Sequence, residues 1–353
     1  MKQAIYSSIR VGLVAVGILL TTLPARAQTK TTHSQSIDVA TQRLEQELER
    51  IAKLAKGPVG VCALHLESGR QINLNAQQAF PMASTVKVAI AAQLFHRIEQ
   101  GELSLMTMTN LQPADLHPGS GTLDVLFAKP GVQLSVQNLL ELMMVISDNS
   151  ATDILLRLAG GPQAVMNRLR TLGIQGMSVD RSIIQLLADL EGVTLPPADQ
   201  WTLGFYDRLS KGLTPEARKA AVTKFNNDPR DRSTPEAMVN LLAQIYRGKA
   251  LQPASRDTLL AVMQRCRGGV NRLKGYLPPA TIIAHKTGSL DETATDDVGI
   301  ITLPGDAGHL AIAVFVGYST RPLAEREQTI AHLTRTLYDF FLFQPTALST
   351  SSR

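Results

Sequence analysis

The chain has 353 residues, with 35 lysines and arginines against 30 acids and a formal net charge of +5. Residues 1–10 are cationic, 11–23 are apolar, and Ala25-Arg26-Ala27 is an A-x-A cleavage site, which together read as a signal peptide cut after Ala27. Its removal takes Lys2, Arg10 and Arg26 and no acid, leaving +2, so the basic balance gives no ground for a nucleic-acid partner.

The apolar core of this leader is short for a membrane span, and no cysteine follows the cleavage site to take a lipid, so no stable membrane anchor is expected. A periplasmic or secreted monomer is the expectation. The mature chain begins with an amphipathic helix carrying Leu44, Leu48, Ile51 and Ala55, followed by two strands over residues 59–66 and 71–74. The helix stop Phe80-Pro81-Met82-Ala83 then precedes Ser84-Thr85-Val86-Lys87. An apolar helical face continues through Ala91, Leu94 and Ile98 to Gly101.

Ser84 therefore lies at a helix N-terminus, where unpaired N–H groups and the positive dipole end favour an oxyanion. Lys87, three residues on, projects from the same face and reaches the hydroxyl. As an amine it can serve as a base only when deprotonated, which burial and a second cation promote; Lys286 is the candidate cation.

Further along, Ser147-Asp148-Asn149 stands at a corner between two helical patterns, one through Val136, Leu140 and Met143 and one through Ala151, Ile154 and Leu158. Ser147 there can relay a proton to a leaving nitrogen and Asn149 can hold a substrate amide; the plainer alternative makes Asn149 the cap of the next helix. Lys286-Thr287-Gly288 closes a strand predicted over residues 281–287. Such a strand can pair with an extended substrate, the Ser289 N–H can join that of Ser84 in an oxyanion hole, and glycine at 288 leaves room for the substrate.

Strands at 298–303 and 310–316 and a last helix through Ile330, Leu337 and Phe341 complete the pattern. Strands at both ends of the chain must share one sheet, since neither group can cover a core alone. The fold class read from this is α/β (α+β): an antiparallel sheet flanked by terminal helices, with a helical block inserted. The sheet domain comprises residues 28–81 and 270–353, and the helical domain residues 82–269.

With these three motifs in order, the chain resembles a class A β-lactamase, one of the penicillin-recognising serine hydrolases. The resemblance extends to Val59-Gly60-Val61-Cys62 with Ser68-Gly69, to Ile146 through Thr152, and to Gly269-Val270-Asn271-Arg272, where Arg272 falls on the position of an arginine that binds the substrate carboxylate in some members. It implies an acyl-enzyme on Ser84, with Lys87, Ser147 and Lys286 handling protons and the carboxylate, and Thr287 and Gly288 against the substrate. One departure concerns the loop that carries Asp-Arg-Trp-Glu in the family. Here Val179-Asp180-Arg181-Ser182-Ile183 puts isoleucine at the glutamate position, and Leu187 stands where the family has asparagine. A long insertion, about 182–230 and holding Trp201, Leu203, Phe205 and Tyr206, separates Arg181 from Asp231, with Glu191 and Asp189 as the nearest substitutes for the missing base.

Two other classes stay open. A D-alanyl peptidase or slowly deacylating penicillin-binding protein would use the same serine and lysines, and a non-catalytic binding module would keep the fold and use the inserted aromatics as a contact surface. Cys62 and Cys266 read as two buried thiols, with pairing in an oxidising compartment the alternative. The seven histidines show no ligand spacing, so no metal and no cofactor is implied, and His285 reads as structural, facing away from Lys286.

Overall fold

A computed structural model describes residues 39–129, 131–202 and 204–343. The expected leader, both low-complexity tails and Leu203 lie outside them. Five antiparallel strands form the main sheet: β1 (Val59–His65), β2 (Gln71–Leu74), β3 (Ile283–Leu290), β4 (Ala294–Thr302) and β5 (His309–Gly317), in the order β2-β1-β5-β4-β3. β1 is thus joined to the C-terminal strands through β5, with Val59 opposite Val316 and Leu64 opposite Ala311.

Side-chain alternation divides the core in two. On one face Val59, Val61 and Ala63 of β1 and Ile312, Val314 and Val316 of β5 pack against Leu44, Leu48 and Ile51 of the Val39–Ala52 helix and Ile330, Leu333 and Leu337 of the Leu323–Phe343 helix. On the other, Cys62, Leu64, Ala311, Ala313 and Phe315 meet Met238 and Leu242 of the Pro235–Tyr246 helix and, beyond it, the helices Lys87–Glu99, Val136–Val145 and Asn149–Leu158. Both faces being covered explains why β1 and β5 read as unbroken apolar runs.

Two strands differ from expectation by more than one residue. β3 starts at Ile283 rather than at 281 and continues to Leu290, so Lys286-Thr287-Gly288 lies inside the strand and not at its end. β4 begins four residues early, at Ala294, because Ala294 to Asp297 pair across to Thr287–Leu290 despite their polar character. Within the insertion the helices Ile183–Glu191 and Phe205–Ser210 share a small core, in which Trp201 stacks on Phe205 at 5.3 Å and donates its indole N–H to Pro196 O at 2.8 Å, while Phe225 of the Pro215–Asn226 helix packs in a separate cluster with Leu186 and Leu190. The inserted aromatics are thereby largely spent on packing.

Candidate active site

Ser84 sits in a 3-10 turn, Ala83–Val86, that runs directly into the Lys87–Glu99 helix. The turn is fastened on two sides. Phe80, just upstream, stacks on Phe315 of β5 at 5.9 Å and occupies the space that a side chain on Gly60 would need, since a Cβ there would stand 2.4 Å from the Phe80 ring. On the other side β3 presses against the turn, and a Cβ on Gly288 would come within 2.7 Å of Met82 O and 3.1 Å of Ala83 Cβ. Glycine at 288 therefore serves the approach of the strand to the nucleophile turn; making room for substrate is not what requires it.

The two lysines converge on one hydroxyl. Lys87 Nζ donates to Ser147 O at 2.6 Å, to Ser147 Oγ at 3.0 Å and to Asn149 Oδ1 at 3.1 Å, while Lys286 Nζ donates to the same Ser147 Oγ at 3.0 Å and to Thr287 O at 2.8 Å. Both side chains are fully buried. Ser147 achieves this with a left-handed backbone, φ +62°, which turns its carbonyl and its hydroxyl toward the lysines. Burial, and then the charge of Lys286, hold Lys87 well below the ordinary lysine range, against the pull of Asp148 and Asp153. Burial also lowers Lys286, to about 8, with Cys266 and Asp297 opposing. Of the two amines on the Ser147 hydroxyl, Lys87 is thus pushed strongly toward its neutral form, which suits it to act as the base.

Asn149 is the first residue of its helix and lends Oδ1 to Lys87 while its Nδ2 donates to Pro118 O at 3.0 Å. The cap is Asp148, whose carboxylate accepts from the N–H of Ala151 at 2.9 Å, of Thr122 at 2.7 Å and of Leu123 at 3.0 Å. The capping alternative for Asn149 thereby fails. Asp148 ties the 119–123 loop to the catalytic corner, a role its position in the motif alone did not reveal.

Arg272 is buried behind β3. Its guanidinium donates to Glu327 at 3.0 Å, to the carbonyls of Gly288 at 2.8 Å and Asp296 at 2.9 Å, and to Ser289 Oγ at 2.7 Å. It therefore orients Ser289 from behind instead of standing open at the surface. Ser84, Asn149 and Ser289 line a cleft of about 740 Å³, whose far wall is Ile183, Leu186, Leu187 and Leu190 of the inserted helix. Ser147, Lys286 and Thr287 line an adjacent cavity of about 250 Å³. Lys87 bonds a residue of each.

Of the two acids named as substitutes for the missing glutamate, Asp189 is engaged by Arg181 at 2.6 Å and Arg230 at 3.0 Å. Glu191 lines the 740 Å³ cleft, half-buried, with Arg218 at 3.6 Å. Burial raises its pKa, only partly offset by Arg218 and Tyr206 and reinforced by Asp291 and Asp207. The base of the inserted segment is closed by a buried pair: Arg181 Nε donates to Asp231 at 2.5 Å, and Asp231 also accepts the Asp180 N–H at 2.7 Å. Asp153 then accepts the N–H groups of Ile183 and Ile184 at 2.7 and 3.0 Å, fixing the start of the inserted helix.

A buried lysine with a strongly lowered pKa next to a serine turn, hydrogen-bonded to a second hydroxyl, is the chemistry of a serine hydrolase working by acyl transfer. The β-lactamase enzyme family matches residues 43–341. The β-lactamase VEB-1 of Pseudomonas aeruginosa is 27% identical over 341 residues, covering 94% of this chain and 98% of its own. The extended-spectrum β-lactamase PER-1 of the same organism is 29% identical over 313 residues, 87% of this chain and 90% of its own. Among solved structures, a β-lactamase from Chitinophaga pinensis superposes with a TM-score of 0.70 at 31% identity, covering 84% of this chain and 98% of that one. The chain belongs to the class A β-lactamase family and is a serine β-lactamase-like hydrolase.

Proposed function

We propose that the protein hydrolyses β-lactam amides through an ester on Ser84 Oγ, outside the cytoplasm after loss of residues 1–27, and as a monomer of two domains divided near residues 81 and 270. The observation that carries the mechanism is the pair of buried lysines on Ser147 Oγ, both at 3.0 Å. Neutral Lys87 takes the Ser84 proton as the oxygen attacks the lactam carbonyl. The N–H groups of Ser84 and Ser289 hold the oxyanion. When the C–N bond breaks, Ser147 passes its proton to the leaving nitrogen and is resupplied by Lys286. Asn149 and Thr287 orient the substrate amide and carboxylate, and Arg272 acts on the carboxylate through Ser289 Oγ.

Deacylation requires a base for water. The wall formed by Ile183 and Leu187 offers none, and Glu191 is the acid of the inserted helix that faces the cleft with its pKa raised toward useful range. The test is an intact-mass time course with a small excess of a penicillin. An adduct that forms, disappears as product accumulates and is absent in Ser84→Ala supports the proposal. An adduct that persists would assign the protein to slowly deacylating penicillin binders or D-alanyl peptidases, a reading that the apolar wall favours. No adduct would overturn the substrate.

A further inference from the structure

Beside the lysine cluster lies a second set of reactive side chains that acyl transfer does not use. Cys266 follows the Pro253–Gln264 helix, while His285 on β3 and Asp297 on β4 are fully buried. His285 Nδ1 stands 2.8 and 3.0 Å from the two Asp297 oxygens, which fixes the proton on that nitrogen. The ring's other nitrogen, Nε2, is buried without a hydrogen-bond partner, and the Cys266 thiol is close enough to act on the ring's charge. The thiol is not sealed in. It lines the 250 Å³ cavity shared with Ser147, Lys286 and Thr287, a space wide enough for a small solute.

The charges facing this sulfur are those of His285, Lys286 and Asp297; Arg267 lines the same cavity, and Lys274 reaches the Cys266 carbonyl at 3.4 Å. Burial pushes the Cys266 thiol up, but His285 and then Lys286 more than reverse this, bringing it down to about 7. Burial likewise lowers His285, and Asp297 and Cys266 overcome it, raising the ring to about 9. The chain supplies its own control, for Cys62, buried in β1, is pushed up to about 12 by burial and the charge of Glu236.

We propose that Cys266, poised by the His285–Asp297 pair, is a modification site that hydroperoxides and small soft electrophiles reach through this cavity, and that its modification disables the Ser147–Lys286 side of the serine site. With a hydroperoxide, the thiolate attacks the distal oxygen. An S–O bond forms as the O–O bond breaks, sulfur is oxidised by two electrons to a sulfenic acid, and the leaving alkoxide takes the proton held by His285. Oxidation removes the thiolate charge that helps keep Lys286 protonated and places an extra oxygen in the cavity.

The experiment treats the native protein with iodoacetamide and, separately, tert-butyl hydroperoxide from about pH 5 to 9, maps the products by mass spectrometry and then times Ser84 acylation by a penicillin. Expected are a single adduct at Cys266 and none at Cys62, with a labelling midpoint near 7. In His285→Gln labelling at neutral pH should slow about tenfold or more, and acylation should slow about tenfold in treated wild type, whereas treated and untreated Cys266→Ala should acylate alike. The wild-type pH profile stands on its own if His285→Gln does not fold. Labelling of both cysteines together, and only on unfolding, would overturn the reactive thiol. Complete Cys266 modification with unchanged acylation would overturn its control of the site. Absence of acylation in untreated protein would count against the proposed substrate alone, because labelling reads the thiol directly.

Discussion

At the scale of single residues, the site rests on two buried amines whose charged forms are disfavoured by burial, Lys87 further by the charge of Lys286. The acylation rate should rise with pH as Lys87 loses its proton, at a value well below that of a free lysine, and fall again near 8 as Lys286 discharges. In Lys286→Arg the guanidinium does not titrate in this range, so the alkaline limb near 8 should disappear from a kcat/KM profile even if the absolute rate drops. Removing the carboxylate at 191 tests the second half of the cycle. Glu191→Gln should leave the acylation burst intact and slow the steady state by about tenfold to a hundredfold, measured by comparing the burst with turnover. These roles were only partly legible beforehand. Ser84, Lys87, Ser147 and Lys286 stand in recognisable motifs, and the structure joins the last three through Ser147 Oγ, whereas the pairing of His285 with Asp297 depends on the register of β3 on β4. His285 lies opposite Gly299, which leaves the ring space to lean diagonally onto Asp297, and no local pattern announces that.

At the scale of elements, the inserted segment is held at its neck by Arg181 and Asp231, both almost fully buried. Arg181→Ala leaves Asp231 without its cation and should cost about 3–5 kcal/mol, read from urea unfolding, with proteolysis appearing first between residues 182 and 230. Gly288→Ala tests a different contact. The added methyl meets Met82 O, so β3 must move off the Ser84 turn; the expected loss is about 1–3 kcal/mol of stability and a larger proportional loss of acylation, compared in one preparation by melting and by intact mass. Periodicity located the helix through Leu44 and Leu48 and the strand 71–74 well, because each has one clean apolar face. It stopped β3 too soon because Gly288 and Ser289 have weak strand propensity; pairing with β4 carries the strand through them.

At the scale of the whole molecule, the sheet is a plate packed on both sides, and the nucleophile turn is fastened to it by the Phe80 ring on one side and by β3 on the other. Phe80 fills the space above Gly60 and stacks on Phe315, so Phe80→Ala should cost about 3–5 kcal/mol in a melting experiment and slow acylation as the turn loosens. The shared sheet was legible from the sequence because strands at either end needed partners; the strand order was not, since apolar runs buried on both faces carry no record of which neighbour they meet. That order has a temporal consequence. As the chain leaves a ribosome, β1 and β2 emerge first and can pair only with each other, a hairpin too small to persist. The central neighbour of β1 is the last strand made, so the sheet closes only when β5 is available and stays open for nearly all of the chain's synthesis.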